Sequence, residues 1–402
     1  MKPRIILISA ICFIAVAAVN ALNYTRTDNE VDSNKETSDY QAAVIQIPNA
    51  LPPDSAGSGN IKLALILDTS NSMDGLIDQA KTQLWKFVNE LSKASVDGVK
   101  PSLQIALYEY GNDGLSNRSG FVRMVSPFTN DLDEISAKLF SLTTNGGSEF
   151  CGEVIQQSVS ALNWEGPENN LRLIFIAGNE PFNQGNYSYK EACSKAVFSG
   201  INVNTIYCGE YEEGISTFWQ SGAVAGNGNY MSIEQDRKTV FYETPYDKLL
   251  DSLNTQLNST YLYYGSQADY RQQNQLEQDN NSGFFGSANK AERSVSKAGN
   301  FYLNSSWDLV DAYNDKSIDI YKIEDMAWPE HLRAVPMQTR IQMIEENNSR
   351  RIRVKTEILE INKQRLMYID KLKVAAGDTY SLDEAMLKAI REQAAAKGFV
   401  FL

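Results

Sequence analysis

Apolar and polar positions follow two alternating patterns from residue 61 onward. The segments 61–67, 103–110, 171–177 and 201–207 are short and mostly apolar, which is typical of strands buried on both faces of a parallel sheet. Between them, apolar residues recur at intervals of three and four, as in the segment 75–92, which is typical of an amphipathic helix. This alternation predicts an α/β fold with a doubly wound, Rossmann-like sheet.

Two further strands complete a mostly parallel sheet of six strands. The segment 121–128 follows 103–110 after the turn residues Gly111–Gly114, so we expect these two strands to pair as a hairpin. A short strand is predicted around 229–233. The helices predicted in this half of the chain are 75–92, 130–142, 151–162, 190–198, 215–225 and 246–258.

The composition changes after Gly265 and predicts an α-helical C-terminal region. Residues 267–283 are rich in Gln, Asn and Asp, which is typical of a polar helix or connector. Residues 337–374 contain neither Pro nor Gly and carry an irregular apolar seam like that of a coiled coil, which predicts one long helix. Ser381–Glu384 form a capping box that opens a final helix.

Two interpretations of the last two helices remain open. They could form an antiparallel hairpin packed on the α/β domain or on itself, or an arm for oligomerisation or partner docking. The predicted organisation is a signal peptide at 1–21, a flexible linker at 22–59, the α/β domain at 60–264, a polar and helical connector at 265–335 and a helical hairpin at 336–402.

The N-terminus predicts export. Lys2 and Arg4 precede the apolar run 5–19, and Val19–Ala21 provides the small residues of a signal-peptide cleavage site. The run is shorter than the roughly twenty residues that span a bilayer. We therefore expect a periplasmic or secreted protein of a bacterial cell envelope. Only an uncleaved segment would anchor the chain in a membrane.

Charge and motif content exclude several classes of function. The net charge of -13, without a basic patch, argues against nucleic-acid binding. The only histidine, His331, lies in the predicted connector, and the sequence has no phosphate-binding loop or dinucleotide fingerprint. We therefore predict that the protein is not an enzyme, and a metal-dependent hydrolase is the least favoured alternative.

Oxygen-bearing side chains cluster where the first strand ends. Asp68, Ser70 and Ser72 occupy alternate positions directly after that strand, at the start of a helix. Ser148 ends a glycine-rich loop that precedes the helix predicted at 151–162. A carboxylate and hydroxyl groups beside a helix N-terminus suit a hard divalent cation such as Mg²⁺.

This arrangement resembles the metal-ion-dependent adhesion site (MIDAS) of von Willebrand factor A (VWA) domains. Asp68, Ser70 and Ser72 match its Asp-x-Ser-x-Ser motif, and the loop that ends in Ser148 is similar to its Gly-Gly-Thr loop. The resemblance covers about residues 60–264 and implies a sheet of VWA type. It also implies that these four side chains hold Mg²⁺ or another divalent cation, and that an acidic side chain of a protein partner completes the coordination.

One position departs from the VWA pattern. The family has an Asp that completes the metal shell after a later strand, and Gly178 stands at that position here. Without this carboxylate, three alternatives remain. The site could bind its cation more weakly and leave it more electrophilic, Glu149 or Glu180 could supply a replacement carboxylate, or the site could bind no ion. The segments Ala177–Phe182 and Asn204–Gly209 resemble an exported bacterial subgroup of VWA proteins, which would make this incomplete site a subgroup trait.

Three cysteines, Cys151, Cys193 and Cys208, remain after the signal peptide. An oxidising compartment predicts one disulfide and one free thiol. Cys193–Cys208 is the favoured pair, because both are expected near the edge of the sheet that carries the metal loops, and Cys151 competes for the same position.

The sequence supports two functional hypotheses. The first is an exported, non-enzymatic VWA module that binds a protein partner in a divalent-metal-dependent way. The second is a metal-free VWA scaffold whose helical C-terminal region makes the partner contacts.

Overall fold

A sheet of six strands forms the centre of the described chain, in the order β4-β3-β1-β5-β6-β7. All neighbouring strands are parallel except β3 and β4, which form the predicted antiparallel hairpin. A separate two-stranded sheet pairs β2 with β8. The strands are β1 Ile61–Asp68, β2 Ala94–Val96, β3 Leu103–Tyr110, β4 Val122–Thr129, β5 Leu171–Gly178, β6 Asn202–Cys208, β7 Tyr230–Ile233 and β8 Phe399–Phe401.

These coordinates come from a computed structural model, which describes residues 59–233, 242–376 and 382–401. The predicted signal peptide and all but the last residue of the predicted linker lie outside the described residues. Within those three ranges, no helix is both long and apolar enough to span a bilayer.

Helices cover both faces of the sheet and then continue beyond it. Along β1, Leu63 and Leu67 belong to the core on one face, whereas Ala64 and Ile66 belong to the core on the other. This alternation is the period of a strand buried on both sides. The helices are α1 Asp74–Leu91, α2 Leu132–Phe140, α3 Cys151–Ala161, α4 Tyr189–Phe198, α5 Tyr211–Ser216, α6 Trp219–Ala225, α7 Asp247–Asn258, α8 Ala268–Phe284, α9 Ser287–Ala298, α10 Leu309–Asn314, α11 Glu330–Arg333, α12 Met337–Ala376 and α13 Leu382–Ala395.

The doubly wound, mostly parallel sheet followed by helices confirms the predicted fold class. One helix differs from the prediction: the segment expected as a single helix at 215–225 is divided into α5 and α6. The division occurs at Phe218, whose φ of 72° is left-handed and interrupts a right-handed helix.

The C-terminal helices pack on the rest of the molecule. Helix α12 lies against α7, α9 and α10, whereas α13 lies against α1, β7 and β8. Pairing with each other is therefore not the main contact of either helix. The described residues all belong to one compact unit.

Candidate metal site at the carboxyl edge of the sheet

Register brings the ends of three strands together. Asp68 at the end of β1 lies beside Tyr110 at the end of β3, and Leu67 lies beside Ala177 of β5. Because β1, β3 and β5 are parallel, the loops that follow them leave the sheet at the same edge. We call this edge the carboxyl edge.

Backbone hydrogen bonds fix the loop after β1 between its neighbours. The Thr69 amide donates to the Tyr110 carbonyl at 2.9 Å, and the Asn145 amide donates to the Thr69 carbonyl at 3.0 Å. The Asn71 amide donates to the Gly146 carbonyl at 2.9 Å. The loop that follows Asp68 and contains Ser70 and Ser72 is thus held against the glycine-rich loop between α2 and α3.

Asp68, the last residue of β1, is fully buried, and only one of its two carboxylate oxygens has a hydrogen-bond partner among the described residues. Its Oδ1 accepts a hydrogen bond from the Ser70 amide at 2.7 Å, whereas Oδ2 has no hydrogen-bond partner among the described residues. Ser70 Oγ and Ser72 Oγ lie 3.2 Å apart. Ser70 is buried and Ser72 is exposed, so this pair of hydroxyl groups connects Asp68 with solvent.

A second carboxyl group, that of Glu149, contacts Asp68 and Ser70. Glu149 is only 3% exposed, and its Oε2 accepts a hydrogen bond from the Glu180 amide at 3.3 Å. Burial, followed by the hydrogen bond and charge of Glu149, raises the pKa of Asp68 well above its usual range. Burial also raises the pKa of Glu149. Two carboxyl groups therefore face each other in a buried position where both cannot easily be ionised.

Ser148 and Glu180, the remaining candidate ligands, have different surroundings from Asp68 and Glu149. Ser148 is half-buried, and no hydrogen bond of its hydroxyl occurs within the described part of the chain. Its neighbour Gly147 approaches Ser70 so closely that a Cβ there would lie 2.8 Å from the Ser70 Cβ. Glu180 is exposed, and its carboxylate accepts a hydrogen bond from Gln184 at 3.0 Å. The structure thus brings Glu149, and not Glu180, next to Asp68.

Packing explains why position 178, which departs from the VWA pattern, is occupied by glycine. A Cβ added to Gly178 would lie 2.4 Å from the Tyr110 hydroxyl and 3.0 Å from Asp68 Oδ2. Tyr110 is fully buried, donates to the Ala177 carbonyl at 3.1 Å and accepts a hydrogen bond from Cys151 Sγ at 3.7 Å. The phenol therefore occupies the space that an Asp side chain would need.

Asn179, the next residue, was not predicted as part of the site. Its Nδ2 donates to Ser72 Oγ at 3.2 Å, which links the loop after β5 to the exposed hydroxyl of the site. An amide beside a glycine gives no distinctive signal in a single sequence, so only the register of β1 and β5 shows this contact.

The cysteines correct the predicted disulfide. Cys151, Cys193 and Cys208 are all free and buried. Cys151 and Cys193 lie in the core on one face of the sheet and Cys208 in the core on the other, so the favoured Cys193–Cys208 pair is absent. Burial raises the pKa of Cys193 to about 12, and it also raises the pKa values of Cys151 and Cys208 well above the usual thiol value, so these thiols are not reactive thiolates.

The side chains at the carboxyl edge suit a hard cation. They offer the carboxylates of Asp68 and Glu149 and the hydroxyls of Ser70 and Ser72, and Asp68 Oδ2 has no hydrogen-bond partner among the described residues. Oxygen ligands of this kind are those that Mg²⁺ takes in proteins. Within the described ranges, no group of three or more His, Cys, Asp or Glu residues could hold a metal. Any ion would therefore depend on the serine hydroxyls.

Several solved structures are similar to this chain. BatB, a conserved hypothetical protein from Bacteroides thetaiotaomicron, shares 17% identity over 43% of this chain and 90% of its own, with a TM-score of 0.34. The VWA domain of SpRpn10 shares 14% identity over 43% of this chain and 88% of its own, with a TM-score of 0.33. Proximal thread matrix protein 1 from the mussel byssus, with a zinc-occupied MIDAS motif, shares 12% identity over 45% of this chain and 43% of its own, with a TM-score of 0.33.

No protein-family model matches the chain, and no curated protein matches its sequence. Its strand order and its antiparallel edge strand β4 form the predicted doubly wound α/β fold, with the loops gathered beyond β1 at one edge and additional helices after the sheet.

Proposed function

We propose that this protein is a non-enzymatic binding module whose carboxyl edge holds Mg²⁺ or another divalent cation. The observation that carries the proposal is the buried Asp68 Oδ2, which has no hydrogen-bond partner among the described residues and belongs to a carboxyl group that contacts Glu149. A bound cation would supply a positive, Lewis-acidic centre that attracts a carboxylate oxygen of a protein partner. The predicted signal peptide assigns this activity to the periplasm or the cell exterior.

Glu149 replaces the missing aspartate in this proposal. Tyr110 fills the space beside Gly178, so a carboxylate at position 178 could not reach Asp68 without displacing the phenol. Glu149 enters instead from the loop between α2 and α3 and contacts Asp68 and Ser70. The site thereby regains the negative charge that Gly178 removes. Asp68, Ser70, Ser72 and Glu149 are the proposed ligands, with Ser148 as a further hydroxyl at the same loop.

A binding role suits the surroundings of the site better than catalysis. Ser72 is exposed at its mouth, where a partner can approach, and Asn179 holds its hydroxyl in place. His331 lies in the short helix α11, far along the chain from these loops, and it is exposed. Acid–base chemistry would need a titratable group that faces a substrate, and the carboxyl groups here face each other.

Calorimetric titration with Mg²⁺ and Mn²⁺ tests the proposal. We expect the wild type and Glu180→Gln to bind with the same affinity, because the Glu180 carboxylate is exposed. Asp68→Ala should not bind, and Glu149→Gln should bind at least tenfold more weakly. Equal affinity of Glu149→Gln and wild type would refute the role of Glu149. Absence of binding to the wild type would favour a metal-free scaffold whose helices make the partner contacts.

A further inference from the structure

An exposed apolar patch lies at the edge of the sheet opposite the carboxyl edge. Phe198, the last residue of α4, is 95% exposed, and its neighbour Val197 is 39% exposed. Val224, near the end of α6, is 76% exposed. We call these three side chains the amino-edge patch, because α4 and α6 end where the parallel strands begin.

Hydrogen bonds place the ends of both helices at the start of β6. The Ile201 amide donates to the Ala196 carbonyl of α4 at 3.0 Å, directly before β6. The Val203 amide of β6 donates to the carbonyl of Gly226, which directly follows α6, at 2.9 Å. Helices α4 and α6 also pack on each other, and packed helices lie about 8–10 Å apart. The exposed side chains at their ends therefore adjoin each other.

The end of α4 does not need Phe198 for its own structure. Gly200 has a φ of +70°, and its amide donates to the Val197 carbonyl at 2.9 Å. Ile201, the next residue, is fully buried and supplies the apolar contact that accompanies such a helix end. Phe198 is left in water. Exposed apolar side chains that adjoin each other are a mark of protein or membrane interaction sites.

The size of the patch favours a lipid surface over a protein partner. A Phe side chain provides about 150–250 Å² of contact area, and a Val side chain is smaller. A stable protein interface buries about 800 Å² on each partner, which these three side chains do not approach. A lipid surface needs no such area, because apolar side chains enter the boundary between headgroups and acyl chains.

The negative charge of the chain is concentrated at the opposite edge. Beside the patch, Lys195 is exposed, its Nζ donates to Ser160 Oγ at 2.8 Å, and no carboxylate pairs with it within the described ranges. The net charge of -13 is thus unevenly distributed, and the amino edge is the one that a phospholipid surface repels least. Exposed carboxyl groups follow the parallel strands at the carboxyl edge, and these are Asp74, Asp113, Glu180, Glu210, Glu212 and Glu213.

Further cations lie at the amino edge. The side chains of Lys62, Arg172 and Lys397 all donate to main-chain carbonyls of the loop 163–168, before β5. Arg172 is also next to the patch, since a Cβ at Gly200 would lie 3.3 Å from its Nη1. These cations offset the two glutamates of that loop, so the surroundings of the patch are not acidic.

We infer that the amino-edge patch binds the surface of a phospholipid bilayer. Phe198 and Val224 enter the boundary between the headgroups and the acyl chains, and Lys195 and Arg172 contact lipid phosphate groups. The predicted linker joins the fold at the same edge, because β1 begins there at Ile61. The carboxyl edge then faces away from the bilayer, where a protein partner can reach it. The inference does not depend on a bound cation.

Flotation with vesicles of phosphatidylcholine and phosphatidylglycerol, mixed four to one, tests this inference. The protein is the exported chain, residues 22–402, without the predicted signal peptide. We expect the wild type to float with the vesicles, with or without chelator. Phe198→Ser should bind at least tenfold more weakly, and Lys195→Glu should also bind more weakly. Because both side chains are exposed, these variants should keep the melting temperature of the wild type.

Phe284→Ser is the matched control, because Phe284 is 83% exposed but lies at the end of α8 and not on α4 or α6. This change should leave vesicle binding unaltered. A wild type that does not float, or a Phe198→Ser variant that floats as well as the wild type, would overturn the inference. A wild-type dimer that Phe198→Ser converts to a monomer in sedimentation, without vesicle binding, would instead assign the patch to contact between two copies of the chain.

Discussion

At the scale of single residues, the packing of the Tyr110 hydroxyl determines which residue can occupy position 178. The position that lacks a carboxylate is the position at which the Tyr110 hydroxyl would meet any Cβ, at 2.4 Å. The glycine is therefore required by packing against Asp68 and Tyr110. Glu149 provides the second carboxyl group from another loop.

Restoring the aspartate should destabilise the protein. Gly178→Asp forces the new side chain into Tyr110 and Asp68 and should lower the free energy of unfolding by about 1–3 kcal/mol, as overpacking does. The double variant Gly178→Asp, Tyr110→Phe removes the clashing hydroxyl and should recover part of that loss. Urea unfolding of the three proteins measures both effects. A Gly178→Asp variant as stable as wild type would show that the space is not filled.

Stabilisation by Mg²⁺ should increase with pH. The raised pKa values of Asp68 and Glu149 mean that these two groups hold protons in the folded, metal-free protein that the unfolded chain releases. Their contribution to the free energy of unfolding therefore falls as pH rises above 3.8, the usual value for Asp. A cation binds only the ionised carboxylates and competes with those protons. The rise in melting temperature caused by Mg²⁺ should thus be larger at pH 8 than at pH 5.

Asp68→Asn is the control for this pH dependence. It removes one of the two titrating groups and a proposed ligand, so both the pH effect and the Mg²⁺ effect should disappear. If Mg²⁺ raised the melting temperature of the wild type equally at pH 5 and pH 8, the proposed competition between the cation and protons would be contradicted.

Sequence reasoning identified the loops of the site but not all of its contacts. Asp68, Ser70 and Ser72 could be predicted because they directly follow a buried strand at alternate positions. The contact of Glu149 could only be considered as an alternative, because it depends on the direction of the backbone after two glycines. The cysteine pairing was wrong because the sequence does not show which face of the sheet each side chain enters.

At the scale of elements, buried arginines attach α12 to the rest of the molecule. Arg365 is 2% exposed, and it donates to Asp247 Oδ1 of α7 at 2.9 Å and to Glu292 Oε1 of α9 at 2.6 Å. Arg351 is likewise buried and pairs with Asp308 and Asp311. The long helix thus docks through ion pairs on one face, which the irregular seam in the sequence did not reveal.

Truncating one of these arginines should be costly. Arg365→Ala would leave Asp247 and Glu292 buried without their cation, and we expect a loss of about 3–5 kcal/mol in the free energy of unfolding. Arg353→Ala, on the exposed side of the same helix, should change it by less than about 0.5 kcal/mol. Denaturant titration compares the two variants. Equal, small losses would mean that the Arg365 ion pairs do not hold α12 in place.

The strands were predicted more accurately than the breaks in helices. The strand predicted at 103–110 matches β3, because a run of apolar residues bounded by turn residues has few alternatives. The break between α5 and α6 was not predicted, because it depends on the left-handed conformation of Phe218, a residue that rarely adopts it.

At the scale of the whole molecule, the C-terminus forms part of the core. Ile390 of α13 is fully buried, Phe399 of β8 is 3% exposed, and β8 pairs with β2 early in the chain. The predicted boundaries between the α/β domain, the connector and the helical hairpin stay predictions. The contacts of α12 and α13 nevertheless indicate that the C-terminal helices stabilise the α/β part.

Removing the chain after residue 376 should therefore unfold or strongly destabilise the protein. The deletion exposes core side chains that contribute about 1.5–3 kcal/mol each, and a domain has only about 5–15 kcal/mol in total. Circular dichroism and limited proteolysis of the truncated chain measure the effect. Val400→Ala in the complete chain is the control, because Val400 is 54% exposed on β8 and should tolerate the change. A truncated chain that unfolds at the same urea concentration as the complete one would show that the α/β part is autonomous.

The most direct test of the central claim is anomalous diffraction from crystals of the protein soaked in Mn²⁺. We predict one strong anomalous peak within about 2.5 Å of carboxylate oxygens of Asp68 and Glu149 and of the Ser70 hydroxyl. The absence of a peak at the carboxyl edge, with Asp68 and Glu149 still in mutual contact, would contradict it.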